Sequence, residues 1–453
     1  MRELTRRATA LAGAVGTGLV LAACGGSGSD GDGGAIELTI SANAATGGKN
    51  TEEAEWIEEW VIPAFEAEQR DRGVEVDVSF EPSGVDDEQF KTRLALDLQA
   101  GAGPDILTLD GIWVGEFAQA GYIEPLPDTD WDGWSQIPEA VQQLAAFEDQ
   151  LYGIPWGTDG RVLFYNKELF AEAGLPADWQ PTSWAEITEA AEALAGLDGV
   201  TPIQLNAGTA MGEATTMQGL LPLLAGAGEE IHDGEEWTGA SAGLTEALAF
   251  YEEIYGGGLG DPVLQEEAQG RDKSFERFAA GEIGILVEGD YFWRSVINPD
   301  GGTAPMDNRD EAVGWALIPA AEPGAGVGGQ DFVSMSGGSV RVVNPASDHA
   351  DVAYELLTFM NSAEAITAAV EGDARITART DVNDQVLAGD PLLSFIAEEV
   401  LPLTTFRPPL AEYPQVSVLL QEATAAVAAG DSSPEEAAAD YAEGLGEVAG
   451  GAG

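Results

Sequence analysis

The chain has 453 residues, 44% of them hydrophobic, with 79 acidic and 19 basic side chains and a formal charge of -60. That length exceeds one typical domain and predicts two lobes. So negative a chain excludes nucleic acid and anionic membrane surfaces as partners, and a lone cysteine, Cys24, excludes an internal disulfide.

The first element is a leader. Arg2, Arg6 and Arg7 precede an uncharged run from Ala8 to Ala23, and a Gly/Ser/Asp stretch follows from Gly25 to Gly34. A basic start, a short apolar core and small residues at its end predict an export signal. The apolar run falls short of the roughly 20 residues that a membrane span needs. Leu21-Ala22-Ala23-Cys24 resembles a bacterial lipobox. The resemblance implies a signal peptide over 1–23, lipidation of Cys24, and a flexible tether over 24–34 that holds a folded domain off the membrane. Loss of Arg2, Glu3, Arg6 and Arg7 with the leader makes the remainder two units more negative.

Ile36 to Ile40 alternates and predicts a strand. A helix is predicted over Thr51 to about Glu68, with Trp56, Trp60, Val61 and Phe65 as its core stripe. Val74 to Phe80 predicts a second strand, Asp86 to Gln99 a helix, Asp105 to Leu109 a third strand, and a further helix begins near Trp113. This rhythm predicts a mostly parallel, doubly wound sheet. A second α/β series follows Tyr152. Phe164-Tyr165 ends a strand, and helices are expected over Lys167–Ala173 and Trp184–Ala195, the latter opened by the capping box Ser183-x-x-Glu186. Further helices are expected near Gly243–Tyr255, Ser274–Ala280 and His349–Met360, with strands at Ile283–Val287 and Val340–Val343. Ser433-Pro434-Glu435-Glu436 signals the start of a terminal helix.

Acidic pairs are spread along the whole chain, from Glu52-Glu53 to Glu435-Glu436, and lysine is confined to Lys49, Lys91, Lys167 and Lys273. The spread predicts a surface adapted to a salty habitat rather than a cation site. With His232 and His349 the only histidines, no metal site and no cofactor are expected. Gly47-Gly48-Lys49 lacks the upstream glycine of a phosphate loop, and no Gly-x-Ser-x-Gly elbow occurs.

Four stretches carry a specific pattern. They are Gly103-Pro104-Asp105-Ile106-Leu107-Thr108-Leu109-Asp110 with Trp113 to Phe117; Tyr152 to Arg161 with Tyr165 to Phe170 and Pro181 to Trp184; Phe278 to Gly284 with Gly289 to Trp293; and Arg407-Pro408-Pro409 with Tyr413 to Ser417. Their order and spacing resemble the family 1 extracellular solute-binding proteins of ABC importers, which include maltose- and trehalose-binding proteins. The resemblance implies an α/β protein of two doubly wound lobes joined by a multi-segment hinge, the type II periplasmic-binding-protein fold. It implies an N-terminal lobe over 35–157 and 334–379 and a C-terminal lobe over 158–333 and 380–453. Crossings are implied near Trp156-Gly157, Val333-Ser334 and Arg379-Thr380. A monomer is expected. It would capture a carbohydrate, expected to be an oligosaccharide, in the interlobe cleft and deliver it to the ABC transporter permease subunits.

A sugar offers apolar ring faces and a girdle of hydroxyls, so its site needs flat aromatic rings beside polar side chains. Within the motifs, Asp110 follows a strand at the edge where open α/β sheets place ligands; it is a ligand candidate and equally a helix cap. Trp113, Trp156, Tyr291 and Trp293 are candidate platforms, with core packing as the alternative for each tryptophan. Asp159, Arg161 and Arg407 are candidate polar contacts, and Arg161 can instead simply pair with Asp159. Gly337 and Gly338 permit close backbone approach. Many relatives have Gly-Gly-Trp where this chain has Gly337-Gly338-Ser339, which removes one stacking platform and leaves a polyol or glycerol-phosphate-like ligand open. The alternatives are a secreted glycoside hydrolase, which requires two facing carboxylates, and the same fold binding a polyamine.

Overall fold

The computed structural model describes residues 35–47, 50–85, 87–127, 131–267, 269–372 and 374–450. The leader, Cys24 and the tether lie outside the described residues. The architecture below is that of the unit beginning at Ile36.

The first sheet contains β1 (Ile36–Ala42), β2 (Val76–Pro82), β3 (Ile106–Asp110), β4 (Ile154–Thr158) and, from much later in the chain, Gly338–Val343. The second contains β5 (Arg161–Asn166), β6 (Thr201–Gln204), β7 (Ile283–Gly289) and β8 (Val313–Ala316). β9 (Phe332–Ser336) runs into β10 (the Gly338–Val343 strand), and β11 is Thr404–Phe406. The sheet orders are β2-β1-β3-β10-β4 and β8-β5-β7-β6, while β9 lies between β11 and Ile318–Pro319.

The sheets are not mostly parallel, as the strand–helix rhythm predicts. β1 runs parallel to β2 and β3, but β10 is antiparallel to both β3 and β4. In the second sheet only β6 and β7 are parallel, and β5 opposes both its neighbours. The physical reason is that β4 passes to β5, and β9 to β10, through one or two residues. A strand that arrives directly from another sheet is not bound to the direction that a helical crossover imposes.

Alternation along β5 shows how the second sheet is covered on both faces. Val162 and Phe164 pack with Leu286 and Phe292 on one side, whereas Leu163 and Tyr165 pack with Ile203, Ile285 and Leu248 on the other. A separate core under the first sheet joins Leu38, Ile40, Ile106, Val340, Val342 and Leu356. Extended segments lie side by side where the sheets meet. Thr158 N donates to Ile376 O at 3.3 Å, Ala378 N to Trp156 O at 3.1 Å, and Thr158 Oγ1 to Gly337 O at 3.0 Å.

The helices used below are α1 (Thr51–Trp56), α2 (Glu213–Thr215), α3 (Ala242–Gly256), α4 (Tyr413–Ala428) and α5 (Pro434–Gly450); the last three pack together. α1 continues through a wide turn at Ile57–Val61 into Ile62–Asp71. Similar turns occur at Thr216–Leu220, Phe292–Val296 and Ile396–Val400, and all but Phe292–Val296 end two residues before a proline: Pro63, Pro222 or Pro402. Proline removes an N–H and crowds the carbonyl four residues back, and the widened turn accommodates both. The Ser433 capping box forms reciprocally, with both Ser433–Glu436 backbone-to-side-chain bonds at 3.3 Å. At the Ser183 box, the Glu186 carboxylate instead takes the Thr182 amide at 2.7 Å.

Candidate functional site

Asp110 closes β3. Its carboxylate accepts from Ile112 N at 3.1 Å, so it does cap the short helix Gly111–Trp113, and it also lies 3.7 Å from Arg407 Nη2. Arg407 follows β11 and is nine-tenths buried. Its Nη1 donates to Glu213 Oε2 at 3.1 Å. Glu213, the first residue of α2, also accepts from Tyr413 Oη at 2.9 Å and from Ser417 Oγ, both on α4. One guanidinium therefore links the end of the first sheet to α2, which runs on into the Thr216–Leu220 turn packed against β7. Burial opposes its charge, but Asp110, Tyr413 and Glu213 hold its pKa above the ordinary arginine value.

Asp159 and Arg161 flank the turn between β4 and β5, and their side chains pair. Asp159 Oδ1 also accepts from Gly337 N at 2.7 Å, and Arg161 Nη1 donates to Met335 O at 3.2 Å. Burial pushes the Asp159 carboxyl up, but Arg161, the Gly337 amide and Arg407 together hold it below the usual carboxylate range. A β-carbon on Gly337 would sit 3.6 Å from Arg407 Nη2 and 3.7 Å from Asp159 Oδ1, which brings the two ion pairs to one place. A β-carbon on Gly338 would meet Gly157 O at 2.2 Å, so the pairing of β10 with β4 demands glycine there.

The structure brings together Asp110, Asp159, Arg161, Arg407 and Gly337, with Gly338 beside them. The tryptophans lie elsewhere. Trp113 is 6% exposed and belongs to the first core. Trp156 is 8% exposed, packed with Ile366 and Val382, with the Arg341 guanidinium 4.5 Å from its ring. Trp293 is 2% exposed; its Nε1 donates to Asp390 Oδ2 at 2.9 Å, and Arg309 lies 3.7 Å from its ring. Each of these rings is large enough to fill a core position, and core neighbours occupy their faces. Tyr291 is 47% exposed and follows Asp290, whose amide donates to Gly160 O at 3.2 Å in the Asp159–Arg161 turn.

Sequence reasoning does not single out Glu213, Tyr413 or Ser417. The latter two stand inside the fourth motif. Glu213 carries no sequence signal, because one more acid among 79 is uninformative. Glu288, buried on β7, pairs with Arg271 of the helix Gly270–Ala279: Arg271 Nη2 donates to Glu288 Oε2 at 2.6 Å and Asn206 Nδ2 to Glu288 Oε1 at 3.1 Å. Among the described residues no group of three or more His, Cys, Asp or Glu is arranged to hold a metal. No described helix is long and apolar enough to cross a membrane.

The two mixed sheets with their helices match the type II periplasmic-binding fold, the fold of maltose-binding proteins. The chain belongs to the bacterial extracellular solute-binding protein family, whose model matches residues 48–367. Family and fold are those of binding proteins that serve ABC transporters. A protein of Brucella abortus named only as a binding protein is 23% identical over 91% of this chain and 93% of its own. A protein of Sinorhizobium fredii named for amino-acid ABC transport is 25% identical over 78% of each chain. A solute-binding protein of Thermotoga lettingae solved with α-D-tagatose has a TM-score of 0.67 at 25% identity, covering 91% of this chain and 100% of that one. The sugar-binding protein MalE of Xanthomonas citri shares the fold, with a TM-score of 0.75 at 18% identity over 92% and 98% of the two chains.

Proposed function

We propose that this protein captures a carbohydrate in a cleft between two lobes and delivers it to the permease subunits of an ABC importer. The lobes are 35–157 with 334–379 and 158–333 with 380–453. It is held at the outer face of the cytoplasmic membrane by lipid on Cys24, and it performs no chemistry on its ligand. The observation that carries the reading is the Asp110–Arg407–Glu213 link beside the Asp159–Arg161 pair. It gathers ionised acceptors and planar donors where segments from both halves meet, as recognition of hydroxyls requires. Separate cores under the two sheets and the adjacent crossing segments support a hinge between the lobes. Ligand drives closure to the extent that it contacts both lobes only when they are closed.

A thermal-shift screen of sugars, polyols, polyamines and amino acids tests the reading. A rise in melting temperature with sugars or polyols is expected. A rise with polyamines or amino acids alone would reject it. A Cys24→Ala chain should bind in solution yet be lost from the membrane fraction.

A further inference from the structure

We propose that Glu53 is a proton-operated catch on the hinge. With its carboxyl neutral the crossing segments lie as they do in this structure; with it ionised they shift to let water reach the carboxylate. This rests on the two-lobe reading above and adds a control to it.

The crossing consists of two chain segments side by side. β4 leads within two residues into β5 of the second sheet, and Gly157 in β4 bridges Thr377 in antiparallel pairing. Ile376 packs in a core with Val162 and Phe164 of β5, whereas Ala378 packs in the core of the first sheet. Trp156, on β4, turns its ring to Arg341 of β10. The guanidinium carbon lies 4.5 Å from that ring and 4.6 Å from the ring of Trp56 on α1. Arg341 thus pins a crossing strand to the first half. Glu53 stands one turn before Trp56 on α1, and two cations act on its carboxyl. One is Arg341. The other is Arg375, which directly precedes Ile376 in the second crossing segment. The helix Ala363–Ala369, packed against α1, carries one charged residue, the exposed Glu364. Glu52 and Glu55, on α1 itself, are exposed as well.

Charge, not directed bonding, ties this cluster together. Glu53 Oε1, Arg341 Nε and Nη2, and Trp156 Nε1 are buried without a hydrogen-bond partner among the described residues. Burial outweighs the two cations and pushes the Glu53 carboxyl above its ordinary value. By linkage, a carboxyl whose pKa is raised in one arrangement favours that arrangement when protonated and opposes it when ionised. Above the raised pKa the molecule therefore gains from any motion that hydrates Glu53. The walls around Glu53 differ in how they can move. α1 closes on the first sheet through Ala54, Trp56 and Ile57, and that core cannot part without exposing apolar surface. The crossing segments are held by the Ala378–Trp156 and Thr158–Ile376 backbone bonds to each other and by the stack on Arg341. They are the wall that can shift, and the two halves turn on them.

Single-molecule energy transfer tests the proposal in a chain carrying Cys24→Ala, Glu81→Cys and Glu253→Cys. The two labelled positions are exposed, one on β2 and one on α3, and so report the angle between the halves. Distances are read from pH 5 to pH 8 at constant potassium chloride. The expected result is a shift from one distance population to another as pH rises. Their ratio should change about tenfold, as a one-unit difference in a single pKa implies. Glu53→Gln and Glu53→Ala, checked for folding by circular dichroism, should each hold the low-pH population throughout, although every other carboxyl is retained. A parent chain whose distances ignore pH overturns the proposal, since Glu53 then reaches water by local motion alone. A response that survives Glu53→Gln overturns it too. The two-lobe reading is tested separately, by adding at pH 5 a sugar or polyol that raises the melting temperature. A shift with that compound but none with pH leaves the hinge standing without its catch. Distances that ignore both overturn the hinge itself.

Discussion

Arg341, on β10, is fully buried, with Trp56 and Trp156 at 4.6 and 4.5 Å from its guanidinium carbon. Nη1 donates to Met360 O and Asn361 Oδ1, both at 3.2 Å, while Nε and Nη2 have no hydrogen-bond partner among the described residues. Two faces of π density offset part of the desolvation of that charge. Burial pushes Arg341 down to about 10, against the opposing pull of Glu53, and pushes Glu53 up, against Arg341 and Arg375. A carboxyl raised in the folded state favours folding below its unfolded pKa, and that contribution is lost as pH rises through the folded pKa. Glu53→Gln mimics the protonated form, so it should raise the melting temperature at pH 7 and change little at pH 4. Equal shifts at both pH values would show that packing, not ionisation, sets the effect. Asp159 carries the opposite sign. Its carboxyl is held low, so its contribution is present above the ordinary aspartate value near 4 and lost as pH falls below it. Asp159→Asn should therefore flatten the acid side of the stability profile, which a series of melting curves between pH 2 and 6 measures. The polar candidates were legible because strand ends and motifs mark them. Whether a tryptophan in those motifs faces a cleft or a core was not, since spacing alone does not say which neighbours arrive from distant strands.

At the scale of elements, the local rules held where the signal was local. Ser433 and Glu436 form the capping box that Ser433-Pro434-Glu435-Glu436 announces, and Ser433→Ala should cost about 1 kcal/mol in denaturant unfolding. A loss below a few tenths would mean that packing of α5 against α3 and α4 makes the cap redundant. Strand β1 and the helix at Lys167–Ala173 likewise follow from alternation and from Asn166, whose side chain accepts from Glu168 N and Leu169 N. The antiparallel entries of β5 and β10 were not legible, because the direct passage of the chain between sheets is a long-range choice. Gly338 marks one such entry. Its α-carbon has no room for a methyl beside Gly157 O, so Gly338→Ala should separate β10 from β4 and cost about 1–3 kcal/mol. The same variant should weaken ligand binding, because Gly337 and its bond to Asp159 move with it. Stability lost with affinity unchanged would uncouple that strand pair from the site.

The whole molecule carries a charge of -60, and its cations are largely spent in pairs such as Lys91–Glu116, Arg277–Asp261 and Arg379–Asp381. Unpaired acids crowd the exposed faces of helices, as at Glu252 and Glu253 on α3. Repulsion among them favours the expanded chain over the folded one, and an expanded chain separates like charges. Added salt shortens the screening length from about 10 Å at 0.1 M to about 3 Å at 1 M, comparable with the spacing of neighbouring carboxylates. Folded and unfolded states both gain, but the folded state gains more, because its charges are closer together. The melting temperature should therefore rise steadily with potassium chloride up to about 1 M. Chloride serves better than sulfate here, since sulfate strengthens apolar burial in any protein. Surface ion pairs pull the other way, but exposed pairs contribute little each and are few beside the excess of acids. A melting temperature that is flat or falls with potassium chloride would show that self-repulsion does not limit this fold. It would leave the acidic surface as a matter of composition, without consequence for stability.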